Sequence, residues 1–430
     1  MTDLTASRPT ACRATASPAA ADHARPVRLD RGSLRLVGDL PAAARRAFGL
    51  ALALERGRLD VRVPDGRAFR VEGRLPGPEA RIDIHDWRFA RRVLAAGDVG
   101  VGESYIAGEW SSPAVATVLE LFAVNRHATF ERLAARPLVR ALLRVRHWLN
   151  RNTRTGSRRN ISAHYDLGNA FYAAWLDETM TYSAGLFATG ANDLASAQRE
   201  KYRALARAAR IEPDHHVLEI GCGWGGFAAF AAAEIGARVT ALTISREQHD
   251  YARRRIQEAG LGDRVDVQLR DYRDERGTYD RIASIEMLEA VGERYWPVYF
   301  RSLVERLKPG GAAGLQTIVI RDDLFDSYRR TPDFIQRHVF PGGMLPSPAR
   351  LAALGRSVGL DLVAERAFGA DYARTLAEWR ARFRRAWPEI VPLGFDERFR
   401  RLWEFYLSYC EAGFRSGNVD VRQVVFTRPG

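Results

Sequence analysis

This chain is poor in cysteine, nearly devoid of lysine, and without a long apolar run. Cys12, Cys222 and Cys410 are its only cysteines in 430 residues. They lie far apart, so neither a disulfide framework nor a metal-ligand spacing is present, which suits a reducing cytoplasm. No apolar stretch approaches the ~20 residues that span a bilayer. Residues 1–30 are rich in Ala, Pro, Thr and Arg and lack the apolar centre of a signal peptide, so they read as a disordered leader. Among 65 basic residues only Lys201 and Lys308 are lysine. That bias fits a GC-rich genome and by itself carries no functional reading.

What is there supports more than one domain: 430 residues, 46% of them hydrophobic and 10% aromatic. That is enough for sizeable cores. The net charge of +13 is unevenly placed. Residues 1–165 carry 28 basic and 16 acidic residues, while 166–430 carry 37 and 36. Between Arg132 and Tyr165 there are nine arginines and no acid. Leu138, Leu142, Val145 and Leu149 fall there at helical spacing, with Arg140, Arg144, Arg146 and Arg151 beside them and Trp148 among them. A basic amphipathic helix of this kind can rest on an anionic membrane surface. It can equally pack on its own domain with a solvated arginine face. A nucleic-acid patch ranks below both, because no recognition motif accompanies the charge.

Short β-like runs at 33–37, 59–63, 69–71 and 81–84 predict a small α+β domain over 31–130, helical from about 86 and interrupted at Gly97–Trp110. A basic helix and linker at 131–160 separates it from a second domain, 161–430. From about 196, helical stretches of 10–15 residues alternate with strands at His216–Ile220, Arg238–Leu242, Val265–Leu269, Asp280–Ser284 and Ala312–Ile318, with Lys308–Gly311 as a turn. Helices follow at about 373–387 and 396–415, then a strand, Asp420–Phe426. This order predicts a doubly wound, mostly parallel α/β sheet with right-handed crossovers.

Residues 217–227 read Val-Leu-Glu-Ile-Gly-Cys-Gly-Trp-Gly-Gly-Phe. An apolar strand ends in an acid and a glycine turn that opens a helix. Such a turn lets backbone approach a nucleotide-like ligand and aims a helix N-terminus at it. Ligands of these sheets sit beyond the carboxyl ends of the strands. That places Glu219, Gly221, Gly223, Thr243, Asp271, Tyr272, Glu286, Glu289 and Gln316 around one crevice. Thr243 and Gln248 can bond ribose hydroxyls, with Glu247 a spare acid. Asp271 offers an acceptor and Tyr272 an aromatic face. Glu286 and Glu289 can stabilise a cation or work as bases.

At these residues the chain resembles the cyclopropane-fatty-acyl-phospholipid synthase family of S-adenosylmethionine-dependent methyltransferases, from about residue 90 to the end. Gly97–Trp110 is similar to a signature of the family's N-terminal domain. His164–Asn169 (His-Tyr-Asp-Leu-Gly-Asn) and Met180–Ser183 resemble the helix and loop over the cofactor. Leu218–Gly226 and Leu242–Gln248 resemble the cofactor loops, and Phe340–Ser347, Phe368–Tyr372 and Gln423–Phe426 complete the likeness. The glycine turn is shared by many methyltransferases; His-Tyr-Asp-Leu-Gly-Asn together with Phe-Pro-Gly-Gly is far more specific.

The resemblance implies a seven-stranded methyltransferase sheet. It assigns the cofactor to Tyr182, Ser183, Glu219, Gly221, Gly223, Thr243, Gln248, Asp271 and Tyr272. It makes Glu289 the catalytic acid, Tyr372 the catalytic tyrosine and Cys410 the C-terminal site cysteine. Three positions depart from the family. Ala184 stands for a cysteine, Gln316 for a histidine, and Ala290 for the histidine after the catalytic Glu. The cysteine and the first histidine help hold a bicarbonate ion that accepts the proton, so bicarbonate is an implied cofactor whose ligands are altered. Glu286 stands where many synthases have a small residue. The implied reaction is methylation of an acyl-chain double bond through a carbocation, ending in a cyclopropane or, after a hydride shift, in a methyl-branched alkene. Glu289, Tyr372 and Glu286 are the residues expected to steady the cation and take the proton. A lipid-binding protein with a vestigial site and a small-molecule methyltransferase are the rival readings. The expected partners are an anionic phospholipid surface and unsaturated acyl chains, with a homodimer left open and no nucleic acid or metal. The expected location is the cytoplasmic face of the membrane.

Overall fold

The computed structural model describes residues 26–30, 32–33, 37–127, 167–187 and 190–430. The basic helix and linker expected at 131–160, and His164–Asp166 of the family-like motif, lie outside the described residues.

The N-terminal part contains β1 (Val27–Arg28), α1 (Ala42–Ala51), β2 (Arg56–Arg62), β3 (Ala68–Glu72), β4 (Leu75–Ile84), α2 (Arg88–Ala96), α3 (Asp98–Ile106), β5 (Trp110–Ser111) and α4 (Val115–Val124). Its five strands are ordered β1-β3-β2-β4-β5. On β2, Leu59 and Val61 point inward while Arg58, Asp60 and Arg62 point outward, the period-2 pattern of a sheet with one wet face. Two readings of the sequence change here. Val27–Arg28, inside the expected leader, pairs with β3. Of the run expected at 33–37, Ser33 lies in a bend and Val37 is buried in a short helical turn, while 34–36 lie outside the described residues. The glycine-rich stretch after Gly97 continues as helix α3 rather than interrupting the helical region. Its glycines serve contact. A Cβ on Gly102 would stand 2.4 Å from the Phe334 ring.

The second part contains α5 (Asn169–Trp175), α6 (Leu194–Ala208), β6 (His216–Ile220), α7 (Gly226–Phe230), β7 (Arg238–Thr243), α8 (Arg246–Glu258), β8 (Val265–Leu269), β9 (Tyr279–Ile285), α9 (Leu288–Val291), α10 (Trp296–Arg306), β10 (Leu307–Ile320), α11 (Asp322–Tyr328), α12 (Phe334–His338), α13 (Pro348–Ser357), β11 (Asp361–Ala367), α14 (Gly369–Ile390), α15 (Glu397–Arg415) and β12 (Val419–Thr427). The sheet order is β11-β12-β10-β9-β6-β7-β8. β6 to β10 are parallel, and β12 runs antiparallel to both β10 and β11. This is the doubly wound, mostly parallel α/β sheet that the alternation predicted. The expected turn at Lys308–Gly311 is instead an irregular start of β10, with a register shift between Leu307 and Ala312. β11 was not anticipated. All seven of its residues are exposed, so it has no apolar alternation to read.

β6 buries four consecutive residues, Val217 to Ile220, because both of its faces are covered. It lies between β9 and β7, where the winding direction reverses. That reversal opens the crevice at the strand ends. α14 and α15 form a long hairpin across it, tied by Arg380–Glu411 at 2.7 Å and by an Arg384–Glu404 pair. α15 also grips the N-terminal part: Arg401 donates to the Tyr105 and Trp110 carbonyls at 2.5 and 2.9 Å. One core cluster runs through this junction, including Trp110, Phe334, Phe405 and Trp403. Among the described residues no helix is long and apolar enough to cross a membrane.

Candidate active site

A cavity of about 370 Å³ runs from the glycine turn to the α14–α15 hairpin. Of the fourteen residues singled out from sequence, thirteen line it and Gln316 does not.

At the end of β6, Gly223 has φ +53°, and a Cβ built there meets nothing within 4 Å. A side chain at this position would therefore enter the open cavity from strained backbone. Gly221 has φ +82°, and a Cβ on it would stand 2.7 Å from Met287. Glu219 is 3% exposed, and its Oε2 has no hydrogen-bond partner. Burial pushes its carboxyl up to about 8, against the pull of Lys201 and Arg255. At the end of β7, the Thr243 hydroxyl donates to Gln248 Oε1 at 2.9 Å, and both residues are buried. Ser245 caps α8 by accepting from the Gln248 N–H, which fixes where that side chain starts. Glu247, the spare acid, is exposed and meets Asn169 Nδ2 at 3.2 Å. The other end of Asn169 accepts from Trp224 Nε1 at 2.7 Å, tying α5 to the glycine turn.

At the end of β8, Asp271 is buried and ion-paired with Arg273 at 2.5 Å. Tyr272 stands edge-on to Tyr299, ring centres 5.5 Å apart. In the loop before α6, the Tyr182 and Tyr406 hydroxyls share a 2.6 Å hydrogen bond. Ser183 Oγ accepts from Lys201 Nζ at 2.6 Å.

The base side is organised differently from the sequence expectation. Sequence reasoning gave the catalytic roles to Glu289 and Tyr372, with Glu286 beside them. In the structure the Tyr372 hydroxyl donates to Glu286 Oε2 at 2.6 Å. Glu286 Oε1 accepts from the Ala184 N–H and from Gln316 Nε2, each at 2.8 Å. Gln316 is 1% exposed and sits behind Glu286, where its Oε1 accepts from Gln423 at 3.1 Å. Burial raises the Glu286 carboxyl, opposed by the nearby Lys201 charge and by its three donors. Glu286 also has φ +51°, one of three described non-glycine residues with positive φ; Met180, at +49°, is another and also lines the cavity. A left-handed β-carbon residue costs ~1–3 kcal/mol and tends to sit at functional sites.

Glu289 Oε1 accepts from the Ile318 N–H at 2.5 Å and from Thr317 Oγ1 at 3.0 Å; its Oε2 is buried without a partner. Burial, and then the Glu286 charge, push it up to about 8. Cys410 reaches the cavity from α15, and burial holds its thiol protonated. Ala184 is fully buried. Lys201 was missed as a site residue, although one of only two lysines beside 63 arginines was a usable signal.

The strand-end face fits a cationic nucleoside. The cradle at Gly223 is open, and the unpartnered Glu219 oxygen would be satisfied by an ammonium. Tyr182, Ser183, Thr243, Gln248, Asp271 and Tyr272 supply hydroxyl, amide, carboxylate and ring contacts around it. The far wall is aromatic and apolar, with Phe340, Leu376, Tyr406 and Phe414 among its residues.

A family model described as mycolic acid cyclopropane synthetase matches residues 152–424. Tuberculostearic acid methyltransferase of Mycobacterium tuberculosis is 43% identical over 360 residues, covering 79% of this chain and 81% of that protein. Cyclopropane-fatty-acyl-phospholipid synthase of Escherichia coli is 34% identical over 389 residues, covering 86% and 96%. Among solved structures, mycolic acid cyclopropane synthase complexed with SAH and CTAB superposes with a TM-score of 0.60 at 26% identity, covering 63% of this chain and 98% of that one.

Proposed function

This chain belongs to the mycolic acid cyclopropane synthetase family, of the cyclopropane-fatty-acyl-phospholipid synthase type of S-adenosylmethionine-dependent methyltransferases, and on that premise we propose that it methylates the double bond of an unsaturated acyl chain and releases a methyl-branched alkene. The observation that carries the choice of product is the Glu286 carboxylate, anchored in the cavity wall by Ala184, Gln316 and Tyr372.

S-adenosylmethionine, when bound, supplies an electrophilic methyl group. Glu219, Gly221, Gly223, Thr243, Gln248, Asp271 and Tyr272 would hold it at the strand ends, with Tyr182 and Ser183 on the facing loop. The aromatic wall packs the acyl chain and excludes water. Attack by the alkene π pair on that methyl would form one C–C bond and break the S–CH3 bond, whose electron pair leaves on the sulfur of S-adenosylhomocysteine, and would leave a cation on the chain. Glu286 faces that cation with Glu289 beside it, and the Glu286 charge, fixed in a dry site, stabilises it more than water could. Each Glu286 oxygen is already committed to donors, which slows proton abstraction. A 1,2-hydride shift then moves the cation to the methylated carbon. Glu286 takes one proton, the C–H pair becomes the new double bond, and atoms balance with no further reagent. Saturating that alkene takes a separate hydride-transfer reaction.

Two supports are independent of Glu286. The resemblance expects cysteine and histidine as bicarbonate ligands where Ala184 and Gln316 stand. The Mycobacterium tuberculosis relative is named a tuberculostearic acid methyltransferase rather than a cyclopropane synthase. The acyl chains are read as those of membrane phospholipids, reached from the cytoplasmic face, because the basic excess is confined to residues 1–165.

The test is lipid mass spectrometry of a host with and without the protein, followed by ozonolysis. The expected product is one methylene unit heavier and is cleaved at the branch. A heavier product that resists ozone is a cyclopropane and overturns the choice of product. Unchanged lipids would overturn the reading as a whole and favour a vestigial site.

A further inference from the structure

We propose that Lys201 is a positioning residue for the methyl transfer: its buried ammonium holds the Ser183 hydroxyl at the cofactor face and supplies the counter-charge that keeps Glu286 an ionised proton acceptor. The inference rests on the reading of Glu286 as the base.

The sequence singles out the position. Sixty-three of 65 basic residues are arginine, and Lys201 is one of two exceptions. The other, Lys308, is a half-exposed partner of Asp280. Lys201 is fully buried on α6. A lysine presents a compact charge to a single acceptor, whereas a guanidinium brings five donors in a rigid fork that all need partners when buried.

The contacts form a closed circuit. Lys201 Nζ donates to Ser183 Oγ at 2.6 Å. The next residue, Ala184, donates its N–H to Glu286 Oε1 at 2.8 Å. Gln316 Nε2 reaches the same oxygen at 2.8 Å. Gln423 Nε2 donates both to Gln316 Oε1, at 3.1 Å, and back to the Lys201 carbonyl, at 2.9 Å. One loop and three neighbouring elements thus hold the cation and the carboxylate in register. The Tyr202 ring, 4.5 Å from Nζ, adds a π face that favours the charged form.

The charged and titratable groups facing the pair are few. Glu286, Asp177 and Glu219 face Lys201. Lys201 and Tyr372 face Glu286, whose own charge is felt by Glu289 and Cys410. Burial brings the Lys201 ammonium down to about 7 against the pull of those three acids. It pushes the Glu286 carboxyl up. Each therefore depends on the other to stay ionised near neutral pH, and a base must be ionised before it can accept a proton.

The experiment uses the full chain with S-adenosylmethionine and vesicles of unsaturated phospholipid. Lys201→Met should lower turnover at pH 7 by ~10–100-fold and move the acidic limb of the pH–rate profile up by about 1–2 pH units. Lys201→Arg, which keeps the charge, should leave that limb in place even where turnover falls. An unmoved limb in folded Lys201→Met overturns the proposal. A second arm needs no Lys201 variant. With two lysines, ¹³Cε-lysine labelling yields two signals. The anomalous one should titrate at still lower pH in Glu286→Gln, and titration unchanged by that substitution also overturns the proposal. Wild-type protein that methylates nothing at any pH sinks the functional reading instead, and the labelling arm still judges the pairing.

Discussion

Around the glycine turn, the polar groups facing the cavity come from short segments at the ends of neighbouring parallel strands: Glu219 to Gly223, Thr243 to Gln248, Asp271 and Tyr272. Around Glu286 the hydrogen-bond network is drawn from positions 184, 201, 286, 316, 372 and 423, which six different segments bring together. The first side is built largely from backbone geometry that the sheet enforces. The second is built from side chains, each replaceable alone. A fold of this design can keep its cofactor face while its base face is rebuilt, since no strand need move. The cost also sits on the second side, where a left-handed Glu286 and a partnerless Glu289 oxygen are found.

The comparison is broken most forcefully at Glu286. Glu286→Gly should lower turnover by ~10²–10⁴-fold, the range for a lost general base, while cofactor affinity stays near wild type. Because the Ala184 N–H, Gln316 amide and Tyr372 hydroxyl would remain, added formate or bicarbonate should restore part of the activity. Wild-type turnover should respond little to bicarbonate. Strong stimulation of the wild type, or a variant as active as wild type without any added anion, would contradict the base assignment.

On the cofactor side, Gly223→Val should weaken S-adenosylmethionine binding at least ~100-fold in calorimetry with near-native circular dichroism, because its side chain would fill open cavity rather than clash with the fold. Undiminished affinity would move the cofactor elsewhere. The smallest effect is on stability. Glu289 and Glu219 are raised to about 8 from 4.5, so between those values the folded state holds protons that the unfolded chain has released. The stability that these two groups contribute to the cofactor-free protein is therefore present at low pH and lost as pH rises through about 8. Glu289→Gln removes part of that slope. It should raise the melting temperature relative to wild type at pH 8 and leave it nearly unchanged at pH 4.5. An equal effect at both pH values would show that the burial argument is wrong.

Much of the fold was legible. The regular exchange of apolar strands with helical stretches from about 196 announces a parallel sheet, and β6 to β10 fall where that pattern puts them. α1 was not legible because an Ala- and Arg-rich segment between strand-like runs has little contrast. β11 was not because an edge strand exposed along its length has no burial period. The helices α11 to α13 are seven, five and ten residues long, too few turns for a helical period to stand out.

What the sequence determined by itself is the strand–turn–helix at 217–227, the order of elements around it, and the set of residues at the strand ends, because each depends on neighbours within a few positions. What the tertiary structure alone decided is which of two carboxylates Tyr372 serves, that Gln316 backs Glu286 from behind, and that Lys201 is walled in with them. Ala184 and Tyr372 are 102 and 86 residues from Glu286 along the chain. No local pattern encodes such pairs. They exist only because folding brings their elements within hydrogen-bond reach in a space too dry to leave a charge alone.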